Sequence, residues 1–185
     1  MDKLEAAFSK FDRRNFLPPG ARDFAGVDAP VPIGYGQTNS QPTTVEMMLR
    51  WLDVQPGDKV LDVGSGSGWT TALLSYLVEP RGQVYAVEIV PELVEFGRDN
   101  AERAGVANAS FHQAGKSYGL PEYAPYDRIL VSASADKLPQ ELVGQLKPSG
   151  KMVIPIQNSV FELSKDAKGN LKTQEHQGFA FVPLT

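Results

Sequence analysis

From residue 59 onward the chain alternates short apolar runs with longer amphipathic ones, and this rhythm restricts its fold more than any other feature. Residues 59–63, 83–88, 109–113, 126–132 and 151–156 read as strands, and residues 69–78, 91–104 and 139–146 between them read as helices. The helix over 91–104 opens on Pro91 and stops at Gly105, the residues that favour a first turn and a left-handed end. Two parallel strands need a long crossover, so strand–helix alternation implies a parallel sheet with helices on both faces. After residue 156 the pattern changes. Residues 160–164 and 178–183 read as two strands about the polar turn 166–170, an antiparallel hairpin.

The first third of the chain is less regular. Residues 1–16 fit a short helix with Leu4, Phe8 and Phe11 on one face, and residues 17–42, rich in Pro and Gly, read as an extended arm. A helix follows, with Thr43 and Glu46 at capping-box spacing and Val45, Met48, Leu49 and Leu52 as its apolar stripe. Pro56-Gly57-Asp58 then makes a turn. No repeat or linker divides the 185 residues, so the expectation is one domain, with residues 1–42 as helix and arm and 43–185 as the α/β core. A chain of this size buries about 70% of its unfolded surface.

Composition narrows the chemistry. A net charge of −4 argues against a nucleic-acid partner, which calls for a basic excess. The absence of cysteine excludes disulfides, thiolate catalysis and thiolate metal sites, and two histidines, His112 and His176, make a histidine-based metal site a poor fit. The N-terminus lacks the apolar core of a signal peptide, and no run reaches the roughly 20 apolar residues of a membrane span. A cytoplasmic monomer without a membrane partner is the expectation.

Open parallel sheets bind ligands beyond the carboxyl ends of their strands. The first core strand runs into Asp62-Val63-Gly64-Ser65-Gly66-Ser67-Gly68-Trp69, and a helix begins directly afterwards. Glycines allow a sharp turn and close approach of backbone to a ligand, and the helix start adds free N–H groups. The spacing is G-x-G-x-G, not the G-x-G-x-x-G of dinucleotide sites, and Trp69 stands where that fingerprint wants a small residue. Asp62, inside an apolar strand, either braces the loop or meets a cationic ligand group, because a buried carboxylate needs partners. Glu88 ends the next strand, where a carboxylate can accept hydrogen bonds from both hydroxyls of a ribose; alone it could equally be a solvated acid. Together these features point to a nucleoside.

Residues 62–68, Glu88 and Leu146-Lys147-Pro148-Ser149-Gly150-Lys151 resemble the hallmarks of class I S-adenosylmethionine methyltransferases. The segment Val31-Pro32-Ile33-Gly34-Tyr35-Gly36-Gln37-Thr38-Asn39-Ser40-Gln41-Pro42 is more specific: it resembles the G-Y-G-Q-T-I-S-x-P motif of protein-L-isoaspartate O-methyltransferases. Ala124-Pro125-Tyr126-Asp127 and the closing Phe181-Val182-Pro183-Leu184-Thr185 agree with that family. The resemblance implies a Rossmann-like, seven-stranded, mostly parallel sheet with a reversed last strand. It implies S-adenosyl-L-methionine as cofactor and methyl transfer to the α-carboxylate of isoaspartyl residues in damaged proteins. It assigns the active-site serine to Ser40. Cofactor contacts fall on Thr38, Asn39, Asp62, Gly64, Ser65, Gly66, Gly68, Glu88, Ile89, Gly115 and Lys116.

The match departs from the family in four respects. One is an N-terminal helical region shorter than the family's and a sequence that stops at Thr185, where in the family both ends normally help cover the active site. Gly115, with Lys116 beside it, stands where the family has an Asp that meets the adenine. Asn39 stands where the motif has Ile, and Asp136 ends a stretch that the family closes with proline. The same scaffold therefore also suits a methyltransferase with another substrate, or a homologue that binds the cofactor without catalysis. His112 reads as a packed or solvated side chain, and Tyr35 either closes over the cofactor or packs on the arm.

Overall fold

The computed structural model of the chain describes residues 2–185. Its first helix, α1 (Lys3–Lys10), is closed by reciprocal capping: Glu5 N donates to Asp2 Oδ1 and Asp2 N to Glu5 Oε2. A single 3-10 turn, Arg13–Phe16, follows. The stretch expected to be an extended arm is more structured. It holds a second 3-10 segment, Pro19–Phe24, and a small hairpin of β1 (Val31–Gly34) and β2 (Gln37–Asn39). Tyr35 and Gly36 turn that hairpin with positive φ, and Tyr35 stays 60% exposed. The predicted capping box of α2 (Pro42–Leu52) does not form. Asp28 caps the helix from the arm instead, accepting from Thr43 N at 3.0 Å and from Thr43 Oγ1 at 2.8 Å. Three hydrogen bonds, from Gln41 first and then Thr43, hold the Asp28 carboxyl below its ordinary pKa.

The core elements are β3 (Lys59–Val63), α3 (Trp69–Val78), β4 (Gln83–Glu88), α4 (Pro91–Arg103), β5 (Ala109–Gln113), β6 (Tyr126–Val131), α5 (Gln140–Gln145), β7 (Leu146–Ile156), β8 (Ser159–Lys165) and β9 (Leu171–Gln177). One sheet joins them in the order β5-β4-β3-β6-β7-β8-β9. The first five pair in parallel, β8 is antiparallel to β7, and β9 is antiparallel to β8. The expected Rossmann-like, mostly parallel sheet is therefore present, with its C-terminal hairpin. The reversed strand is β8, and the last strand again runs with the others.

The second arm of that hairpin is Leu171–Gln177, not 178–183 as its apolar residues suggested. An edge strand with both faces near water needs no apolar alternation, so LKTQEHQ pairs without a periodic signal. The apolar residues after it pack elsewhere: Phe179 and Phe181 lie against the main core, and Phe179 meets Trp51 edge-on. His176 stacks on Trp51 at 4.0 Å and its Nε2 pairs with Glu162 at 2.7 Å.

The two faces of the sheet are covered unequally. Val60, Val84, Leu130 and Val153 point to the side packed by α1, α2 and α3, and Ala86 meets Val94 and Ala101 of α4 on that side. The other face carries Leu61, Ile129 and Met152, which meet Leu142 of the short α5 and Leu120 from a loop. Fully burying a side chain such as Leu73 or Leu61 contributes about 1.5–3 kcal/mol, and both faces supply several.

Candidate active site

β3 and β4 end side by side, with Val63 opposite Val87. The chain leaving β3 turns back over β4, where Gly64 N and Ser65 N both donate to Val87 O, at 2.8 and 3.1 Å. Gly64, Gly66 and Gly68 carry the turn with φ of +79°, +49° and +81°, values that a residue with a Cβ rarely adopts. Gly66 N then donates to Glu88 Oε2 at 2.9 Å, and Val90 N donates to Glu88 Oε1 at 3.0 Å. Glu88 is buried at the floor of this turn. Each of its oxygens has accepted one backbone proton and can accept another, so the carboxylate is oriented but not exhausted.

Asp62 and Gly68 do not line the cavity, contrary to their assignment as contact residues. Asp62 lies beneath the loop, fully buried, and its Oδ2 accepts from Thr71 Oγ1 at 2.7 Å and Thr70 Oγ1 at 3.1 Å. It braces the start of α3, the first of the two roles its sequence position allowed. Burial pushes its pKa up to about 6, against the two threonine hydroxyls, which pull it down. Gly68 is the left-handed residue that starts α3, and a Cβ there would stand 2.6 Å from Gly97 O of α4. Its smallness serves packing between loop and helix.

The other assigned residues do line one cavity of about 320 Å³. Gly64, Ser65 and Gly66 form one wall, and Glu88 and Ile89 another. Gly115 and Lys116 close a third side, and Thr38, Asn39 and Ser40 of the arm a fourth. Ser65 Oγ is buried there and has no partner among the described residues. A buried hydroxyl left unpaired calls for a polar ligand atom, since leaving it so costs about 1–3 kcal/mol. Glycine backbone, an open-handed carboxylate and an unpaired hydroxyl in one cavity suit a nucleoside with a polar tail. Residues 1–185 match the family model described as protein-L-isoaspartate(D-aspartate) O-methyltransferase.

The chain belongs to the protein-L-isoaspartate O-methyltransferase family.

It is 45% identical over 188 residues to the protein-L-isoaspartate O-methyltransferase of Pyrococcus horikoshii, covering 99% of this chain and 84% of the relative. The Aeropyrum pernix enzyme of that name is 47% identical over 183 residues, covering 96% and 70%. Among solved structures, a protein-L-isoaspartate O-methyltransferase superposes with a TM-score of 0.89 at 27% identity; the alignment covers all of this chain and 62% of the other. A Plasmodium falciparum structure, described as a putative member in complex with S-adenosyl-L-homocysteine, gives 0.86 at 27% identity, covering 100% and 91%.

The residues at which this chain departs from the family motifs have distinct placements. Asn39 lines the cavity and is also buried in a network with Arg13 and Ser67, so its amide is a structural junction. A Cβ at Gly115 would meet nothing within 4 Å, which leaves open space on the wall beside Lys116. Asp136 lines neither this cavity nor its neighbour, so its charge is kept off both. Tyr35 and His112 also stand outside; His112 packs beside Tyr85 and Tyr123, which contact each other. Ser40 does not cap α2, whose N-cap is Gln41. Its carbonyl accepts from Arg13 Nη2 at 2.9 Å, and it lines both cavities.

The sequence pattern alone does not place every residue of the site, even where the resemblance includes it. Val182 to Thr185 run along the cavity because Ser134 N donates to Val182 O and Leu184 N to Ser134 O. Arg13, nearly fully buried, is the junction of the arm. A lone arginine in a polar stretch looks solvated until the carbonyls around it are known. Among the described residues, no group of three or more His, Asp or Glu is placed to hold a metal ion.

Proposed function

We propose that the chain methylates the α-carboxylate of L-isoaspartyl residues in damaged proteins, using S-adenosyl-L-methionine, and so serves protein repair. The observation that carries this reading is the Gly66–Glu88 hydrogen bond at the floor of a cavity that shares Thr38, Ser40, Ser132 and Val182 with the wall of a second one of about 670 Å³. The first cavity suits a nucleoside; the second gives a polypeptide room beside the point where a methyl group would leave it.

When bound, S-adenosyl-L-methionine supplies an electrophilic methyl group on a sulfonium. The residues do the rest. Glu88 accepts from the ribose hydroxyls with its remaining lone pairs, and Ser65 Oγ gains the partner it lacks. The glycine loop would hold the methionine end, and Ile89, which lines the same cavity, would offer the base an apolar contact. Ser40 donates its hydroxyl proton to the substrate carboxylate and so holds one oxygen in line with the methyl carbon. No general base is required: a carboxylate with pKa near 4 is already ionised at neutral pH. Alignment and exclusion of water are then the main contributions of the site.

A monomeric, cytoplasmic enzyme acting on isoaspartyl peptides, with no nucleic-acid or membrane partner, completes the reading. A net charge of −4 supports it, and no helix among the described residues is long and apolar enough to cross a membrane. The test is to supply labelled S-adenosyl-L-methionine with an isoaspartyl peptide and with its normal aspartyl twin. Label on the first alone is expected. Label on both, or on neither, would contradict the assignment of substrate.

A further inference from the structure

Arg13 is 4% exposed, and no salt bridge among the described residues includes it. Burying a guanidinium this way is unfavourable unless every donor is met. Here backbone carbonyls and one amide meet them. Nη1 donates to Val27 O at 2.9 Å, Nη2 to Ala29 O at 2.8 Å and to Ser40 O at 2.9 Å, and Nε to Asn39 Oδ1 at 2.7 Å. The guanidinium also lies 5.7 Å from the centre of the Trp69 ring, at the start of α3.

The amide of Asn39 continues the chain of bonds. Its Nδ2 donates to Ser67 Oγ at 2.9 Å, and Ser67 sits in the glycine loop next to Gly66, whose N–H is held by Glu88. Ser67 O in turn accepts from Asn100 Nδ2 of α4 at 2.9 Å. Residue 39 must therefore accept at one end and present a hydrogen-bonding group at the other. Short polar contacts run from the backbone of Ser40 through Arg13 and Asn39 to Ser67, and the peptide link from Ser67 to Gly66 joins them to Glu88. The two ends are the wall beside the second cavity and the floor of the first.

We propose that Arg13, Asn39 and Ser67 are positioning residues that couple the two ligands: ordering the glycine loop on the nucleoside sets the position of Ser40, and so raises affinity for the polypeptide substrate. Arg13 fixes the Ser40 backbone, and Asn39 transmits the loop's position to Arg13. Coupling of this kind is reciprocal, so the peptide must tighten nucleoside binding by the same factor. The decisive quantity is the coupling factor itself.

The proposal rests on the isoaspartyl reading for its choice of peptide. The experiment measures the dissociation constant of an isoaspartyl peptide with and without saturating S-adenosyl-L-homocysteine, which cannot react. In wild type the peptide is expected to bind at least about fivefold tighter in the presence of the nucleoside, the lower end of typical site–site couplings. In Asn39→Leu and in Ser67→Ala the factor is expected to fall towards one, whatever the individual affinities. Asn39→Asp, which keeps acceptors for both Arg13 and the Ser67 hydroxyl, is expected to retain it. A wild-type factor of one overturns the proposal without any variant, and so does a factor that survives unchanged in the Leu and Ala variants. Absence of methyl transfer to the peptide by wild type would instead defeat the substrate reading, so the two failures are distinguishable.

Discussion

Asp62 shows how one buried residue links sequence, stability and pH. Its carboxyl titrates near 6 in the folded protein, raised from 3.8 by burial. The native state therefore keeps a proton that the unfolded chain has already released between about pH 4 and 6. Stability contributed by this group is complete below about pH 4 and declines as pH rises to about 6, then levels off. The change across that window is roughly 3 kcal/mol. Urea unfolding of wild type and Asp62→Asn at pH 4 and pH 7 checks it: the wild type should lose ground to the variant on going to pH 7, and a constant difference would contradict the account. Ser40 belongs to the same scale. One hydrogen bond to a charged group contributes about 1.5–3 kcal/mol, so Ser40→Ala should lower kcat/KM for an isoaspartyl peptide by roughly ten- to a hundredfold. Unchanged turnover would remove the assignment. Gly115 offers the opposite change. The space beside it admits a side chain, and an acceptor there for the adenine amino group is worth about 1–3 kcal/mol. Gly115→Asp should tighten S-adenosyl-L-homocysteine binding by roughly five- to a hundredfold in titration calorimetry; no gain would count against that wall facing the base.

At the scale of elements, what could be read in advance depended on whether an element's partners were local. β3 and β4 were legible to the residue because strands buried on both faces are largely apolar runs bounded by turn residues, and β5 because it follows the glycine stop of α4. α3 was legible because it starts where the glycine loop ends. β9 was not, because its pairing with β8 uses backbone groups that any sequence has. The start of α2 was misread because its cap, Asp28, lies fifteen residues upstream on the arm. For the site, the loop and Glu88 carried their own signal, whereas residues 182–185 are held along the cavity by Ser134, and Arg13 acts on the cavity wall only through long-range bonds to the arm. Gly97 is the sharpest case. Within α4 it looks like a weak point, since glycine costs a helix about 1 kcal/mol relative to alanine. In the fold it is where the glycine loop rests on α4: a Cβ there would lie 2.9 Å from Gly66 O and 3.1 Å from Phe111 Cε1. Packing opposes propensity at this position, and overpacking of this kind costs about 1–3 kcal/mol. Gly97→Ala is therefore expected to lower the stability measured in urea, whereas a stabilised variant would show that the loop can shift away.

The whole molecule is asymmetric in a way that suits its chemistry. One face of the sheet carries α1 to α4, and with them the arm and its buried polar junction. The other face is thinly covered by α5 and loops, with the partly exposed cluster of Tyr85, His112 and Tyr123 at its surface. Between these faces, at the carboxyl ends of β3 and β4, the chain builds the cavity from loop, strand end, arm and tail. All other roles assigned here depend on that cavity holding a nucleoside through the loop and Glu88. The most direct measurement is calorimetric titration of S-adenosyl-L-homocysteine into wild type and Glu88→Gln. One binding site in the wild type is predicted, with affinity weakened roughly ten- to a hundredfold in the variant, as loss of charge-assisted hydrogen bonds requires. Equal affinities, or no binding to the wild type, would contradict it.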